Sequence, residues 1–188
     1  MPADEGVRYT STAIVMHWTV AVLIVVSVSI GLYMVELKLS PTKLKLYSWH
    51  KWVGISIFLL VVARLLWRAL NPPPPLPATM PKWQHTAAHL SHWLLYALLI
   101  CIPISGWLMS SAAGVPVVYF GVLPLPDLVE KNKEVFETLK SLHEALAFTM
   151  VGLVALHVAA AVKHHVVDRD DVLHRMLPLV RPRVKNSG

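Results

Sequence analysis

Three stretches of the chain contain no Asp, Glu, Lys or Arg: residues 15–35, 83–125 and 145–162. A fourth apolar stretch, 52–63, is shorter and runs into Arg64 and Arg68. Apolar runs of about 18 residues or more are long enough to cross hydrocarbon as helices. The pattern predicts four spanning helices, at residues 13–35, 48–70, 84–110 and 141–165. The second is long enough only if both arginines lie within it, near its far end. Thr10, Ser11 and Thr12 offer capping hydroxyls to the first helix. Residues 36–47 read as a polar, basic loop with Pro41 inside it, and 72–75 is a proline run that makes a stiff surface connection. Pro103, with Gly106 close behind, predicts a kink in the third helix. Residues 111–140 read as a long loop whose second half, 128–140, forms a short surface helix. The first run is longer than a signal-peptide core and no small-x-small site follows it, so it reads as a retained helix. The expected architecture is all-α, a single membrane domain over residues 1–188 with lipid as its solvent.

Composition agrees. Hydrophobic residues make up 55% of the chain and charged residues 15%, against about a quarter charged in soluble domains. Cys101 is the one cysteine and sits in an apolar run, so no intrachain disulfide forms and it reads as a packing residue. The net charge of +6 does not indicate nucleic acid, because the basic residues flank apolar runs, where they set topology and attract anionic lipid. With four helices both termini share a side. Ten of the 17 Lys and Arg fall on that side and seven on the other, which favours cytoplasmic termini for a multi-pass protein.

Ten histidines are unusual in so apolar a chain, and an ionisable group in lipid is by default functional. Helix direction sorts four of them by depth. His17 lies near the cytoplasmic end of the first helix, and His50 near the outer end of the second. His143 is at outer depth in the fourth helix. His157, fourteen residues on, lies about 21 Å deeper and projects within about 40° of the same face. The depths pair His50 with His143 and His17 with His157. Two such pairs, each bridging two helices, suit bis-histidine haem iron in a slot of a four-helix bundle. Two ligands per site are too few for zinc or copper without thiolate or carboxylate partners. Gly31 lies fourteen residues after His17, on its face at outer-haem depth, where a glycine leaves room for a porphyrin. Arg64 lies fourteen after His50, at inner-haem depth, where its guanidinium can pair a propionate.

The segments AIVMHWTV, YSWHKWVGI, VVARLLWR with its proline run, AAHLSHWLLY, SLHEALAF, GLVALHVAAAVKHH and DVLHRMLP together resemble the bacterial cytochrome b561 family, in order and over nearly the whole chain. The resemblance implies a four-helix membrane cytochrome with two haem b groups between the helices, exchanging electrons with ubiquinone or another quinone. It places the family's ligands on the same four residues, His17, His50, His143 and His157. One branch of the family resembles a superoxide oxidase. An outer loop with Lys38, Lys43, Lys45 and Lys51 would attract an anionic partner such as superoxide, or a periplasmic donor.

His89, His92 and His164 are the remaining candidates, as quinone or propionate contacts on the cytoplasmic side. Tryptophans 18, 49, 52, 83 and 93 read as an interfacial belt. Two alternatives stay open from sequence: a cytochrome b anchor subunit of a hydrogenase or dehydrogenase complex, and a haem-free channel or transporter with a histidine relay.

Overall fold

The computed structural model describes residues 8–77 and 80–178. Four helices long and apolar enough to cross a membrane run in sequence: α1 (Ser11–Glu36), α2 (Pro41–Leu70), α3 (Lys82–Ala112) and α4 (Lys133–Lys163). The fold class is the one the hydropathy pattern predicts.

Two helix starts differ from expectation. α2 begins at Pro41 rather than at residue 48. Ser40 is its N-cap, accepting from the Lys43 amide at 3.2 Å, and proline at the first helical position lacks an N–H that would be unsatisfied there anyway. Pro41 is thus a helix starter and not a loop marker. α4 begins at Lys133, so the short surface helix expected in 128–140 is its first turns. The Asn132 side chain caps it by accepting from the Glu134 and Val135 amides, and no breaker separates that turn from the apolar run. α2 has 30 residues and α4 has 31, about 45 Å at 1.5 Å each, against about 30 Å of hydrocarbon. Their charged first turns therefore project beyond the membrane at the end remote from the termini.

That far end also carries a small hairpin that hydropathy does not reveal: β1 (Val118–Tyr119) paired antiparallel with β2 (Leu123–Pro124). Phe120 and Gly121 turn it with φ of 50° and 73°. The left-handed Phe120 is held by its ring, 5.3 Å from that of Trp52 on α2. Trp52 Nε1 donates to the Val118 carbonyl at 2.7 Å, and Ser56 and Tyr119 share a hydroxyl hydrogen bond at 2.9 Å.

At the terminal end, α4 passes through one π-turn (His164–Asp168), and the tail folds back across the bundle. Trp18 donates to the Met176 carbonyl, Arg8 to that of Leu177, and the buried Arg175 to that of Pro75. The tail thereby ties α1 to the proline run.

The close helix packing among the described residues runs between neighbours in sequence: α1 on α2, α2 on α3, α3 on α4. Among the described residues, neither α1 nor α2 packs closely on α4. The apolar core repeats the asymmetry. Val20, Ile57 and Val61 centre it, with surrounding side chains from α1, α2 and α3 and none from α4. The backbone of α4 thus stands off those of α1 and α2, and side chains span the slot between them.

Candidate functional site

Both imidazole pairs selected by depth come together across that slot. The His50 and His143 ring centres lie 6.2 Å apart at the far end, and those of His17 and His157 lie 6.3 Å apart at the terminal end. The first pair bridges α2 and α4, the second α1 and α4, and neither combination packs closely. α4 supplies one histidine to each pair from nearly one face, as the fourteen-residue spacing requires.

The far pair is firmly oriented. His50 Nδ1 lies 3.1 Å from the Ser27 carbonyl on α1, and His143 Nδ1 lies 3.1 Å from the Ile102 carbonyl on α3. Each ring lies against a glycine. A Cβ on Gly31 would sit 3.3 Å from His50 Cε1, and one on Gly106 would sit 3.1 Å from His143 Cε1. The spacing argument gives Gly31 the task of clearing space for a porphyrin. Its nearest neighbour on another helix is the His50 imidazole. Open space lies beside Gly54, one turn beyond His50, where an added Cβ would meet nothing within 4 Å.

The terminal pair has a third imidazole beside it. His92 on α3 lies 5.6 Å from His157, closer than His17 does. Arg64 lies at this end of the bundle, at the depth its spacing predicts. Its Nε donates to the Tyr96 hydroxyl at 3.0 Å. Arg64, Arg68, Tyr9, Tyr96 and Trp67 line a cleft at this end. His89 is exposed and pairs with His85, ring centres 6.3 Å apart. His164 turns to the tail, its Nδ1 2.7 Å from Asp170 and 3.1 Å from Asp168, while the Lys163 ammonium holds Asp168 at 2.6 Å.

Residues 8–179 match the family model described as prokaryotic cytochrome b561. The chain belongs to the prokaryotic cytochrome b561 family. It is similar to cytochrome b561 homolog 2 of Escherichia coli (strain K12), 37% identical over 172 residues covering 90% of this chain and 91% of that one. It is 31% identical to the probable superoxide oxidase CybB of Yersinia pestis, over 93% of this chain and 98% of that one. Cytochrome b561 homolog 1 of Escherichia coli (strain K12) is 29% identical over 91% of this chain and 97% of that one. A b561-family chain is a multi-pass bacterial membrane cytochrome of electron transport, and membership implies haem b.

The residues of this family member fit that group. Two metal–imidazole bonds of about 2 Å each, plus the distance from each nitrogen to its ring centre, put axial imidazole centres about 6 Å apart. Both pairs meet that spacing. A flat macrocycle would also need α4 to stand apart from α1 and α2, and neither packs closely on it. Sequence reasoning misses the residues behind the ligands: the Ser27 and Ile102 carbonyls, Ser105 and Gly106. From sequence, Gly106 reads only as part of a kink. The signal that would find it is a glycine on a neighbouring helix at the depth of a ligand histidine.

Proposed function

We propose that this chain is a single-domain di-haem cytochrome b that passes electrons between a one-electron partner at the far face and membrane quinone. His50 and His143 hold one haem, and His17 and His157 the other. The observation that carries the reading is the equal spacing of the two imidazole pairs, at opposite ends of one slot and across helices that do not otherwise pack. Haem b, when bound, supplies a reversible one-electron couple.

The protein's own residues orient, charge and seal the site. The excess of basic residues at the terminal end supports cytoplasmic termini in the inner membrane, so the far end faces the periplasm. Lys38, Lys43, Lys45 and Lys51 gather positive charge there. Lys51 follows His50 directly and donates to the Val115 carbonyl at 3.4 Å. That charge favours an anionic donor, and superoxide is the donor supported by the name of the Yersinia pestis relative. The overall exchange then oxidises two superoxide ions to dioxygen and reduces one quinone, which takes up two protons. Arg64 pairs a propionate, and His92 stands where a quinone or propionate would meet the terminal pair. His89 and His164 are further candidates at that end.

Absorption spectroscopy and a haem-to-protein count on the purified protein test the reading. The expected result is a reducible b-type spectrum with two haems per chain, reduced by superoxide and reoxidised by ubiquinone. A colourless protein would return the haem-free relay to first place. Co-purification of a stoichiometric iron–sulfur subunit would favour the anchor role.

A further inference from the structure

The two imidazole pairs are held differently, and the difference lies in backbone atoms. In a helix each Cα–Cβ bond tilts toward the N-terminus, so a side chain covers the turn before it. The residue four places on therefore shields a carbonyl from outside donors. Gly31 follows Ser27 by four, and Gly106 follows Ile102 by four. Each glycine uncovers the one carbonyl that a far-pair histidine reaches, at 3.1 Å in both cases. Each also lets the ring come within 3.3 Å or 3.1 Å of where a Cβ would stand. The arrangement recurs on two different helices, α1 and α3. At the α3 clasp, the Ser105 hydroxyl donates to the same Ile102 carbonyl at 2.8 Å and lies 3.0 Å from His143 Nδ1.

We propose that Ser27, Gly31, Ile102 and Gly106 are positioning residues that clasp His50 and His143 by Nδ1 and hold the far haem at a lower potential than the other. The inference rests on the di-haem reading above. With Nδ1–H donated to a carbonyl, each ring presents Nε2 to iron and becomes a stronger base. A more basic axial ligand favours the oxidised metal, which lowers the potential. Among the described residues, neither His17 nor His157 makes such a bond, whereas both far-pair rings do. That difference sets the far haem below the terminal one, which drives electrons from the far face toward the terminal end.

Potentiometric titration of the purified holoprotein, followed in the visible bands and by electron paramagnetic resonance, tests this. Two midpoint potentials are expected. Gly31→Ala and Gly106→Ala push the ring off its carbonyl, so each raises the lower potential and shifts that haem's low-spin resonance, leaving the higher one in place. Gly152→Ala is the matched control: it adds a Cβ on α4 with nothing within 4 Å, so it leaves both potentials where they were. Should Gly106→Ala shed its haem, Gly31→Ala has the wider clearance and reads the same effect. A two-haem wild type whose lower potential ignores both Gly31→Ala and Gly106→Ala, or follows Gly152→Ala equally, overturns the clasp alone. A colourless wild type overturns the di-haem reading and the clasp with it.

Discussion

At the terminal end three imidazoles compete for two axial positions, and replacing them singly decides which pair binds haem. On ring separation alone His92 is the nearer neighbour of His157, at 5.6 Å against 6.3 Å for His17. Two further observations favour His17. Its separation from His157 matches the 6.2 Å of the far pair, close to the distance of about 6 Å that two axial bonds demand. His92 also sits on α3, which packs along α4, whereas His17 faces α4 across the slot. A macrocycle between His92 and His157 would have to wedge apart two helices in contact, at a spacing of about 8–10 Å between axes.

The expected outcome follows directly. His17→Ala and His157→Ala each lower the count from two haems per chain to one. His92→Ala keeps two and changes only the band shape or quinone kinetics. His50→Ala and His143→Ala also leave one haem, but the one with the other potential. A pyridine haemochrome assay against protein concentration reads the count, and potentiometry reads which haem remains. Retention of both haems in His17→Ala, or loss of one in His92→Ala, refutes the slot argument.

Three further outcomes can be checked with the same preparation. Val61 is fully buried at the α1–α2–α3 core while Val62 is 37% exposed toward lipid, so Val61→Ala should cost about 1–2 kcal/mol in reversible unfolding and Val62→Ala much less. Lys51→Gln should slow reduction by superoxide and flatten its dependence on ionic strength, while reduction by a neutral donor stays the same; equal slowing of both would discard the steering role. The Tyr9 hydroxyl is pushed above its ordinary value of 10.0 by burial, against the opposing pull of Arg68 and Arg64. Its contribution to stability is therefore fully present below pH 10 and lost as pH rises through the folded value. Tyr9→Phe should remove part of the alkaline fall in melting temperature, and an unchanged alkaline limb would show that this phenol does not titrate with unfolding.

How much of the fold and site is legible in the sequence depends on which atoms carry the feature. Side chains on a long helix obey a fixed rise and rotation, so spacing alone places His143 and His157 at opposite depths on one face. Helix starts are less legible where a polar segment precedes the apolar run. Pro41 looks like loop and Lys133 like part of a separate surface helix when judged by hydropathy, yet Ser40 and Asn132 are caps whose local bonding starts the long helices there. The hairpin at 118–124 is hidden for another reason. It rests on a tryptophan N–H and a serine hydroxyl of α2, contacts distant in sequence, and its turn uses a phenylalanine in a conformation that turn rules reserve for glycine.

The ligand clasp marks the limit most clearly. Its acceptors are main-chain carbonyls, which every residue carries, so neither Ser27 nor Ile102 announces its role by side-chain type. What the sequence does hold is the missing atom, a glycine four residues after each carbonyl. Helical spacing gives Gly31 the right depth, and the His50 imidazole lies 3.3 Å from its missing Cβ. Gly106 is masked by Pro103, which makes the pair look like a kink. A glycine at ligand depth therefore carries two meanings, room for a macrocycle or access to a carbonyl. They part at the residue four places earlier. If the glycine serves the macrocycle, any residue with a free or shielded carbonyl will do there; if it serves the ligand, that carbonyl must face a histidine of the neighbouring helix, as Ser27 and Ile102 both do.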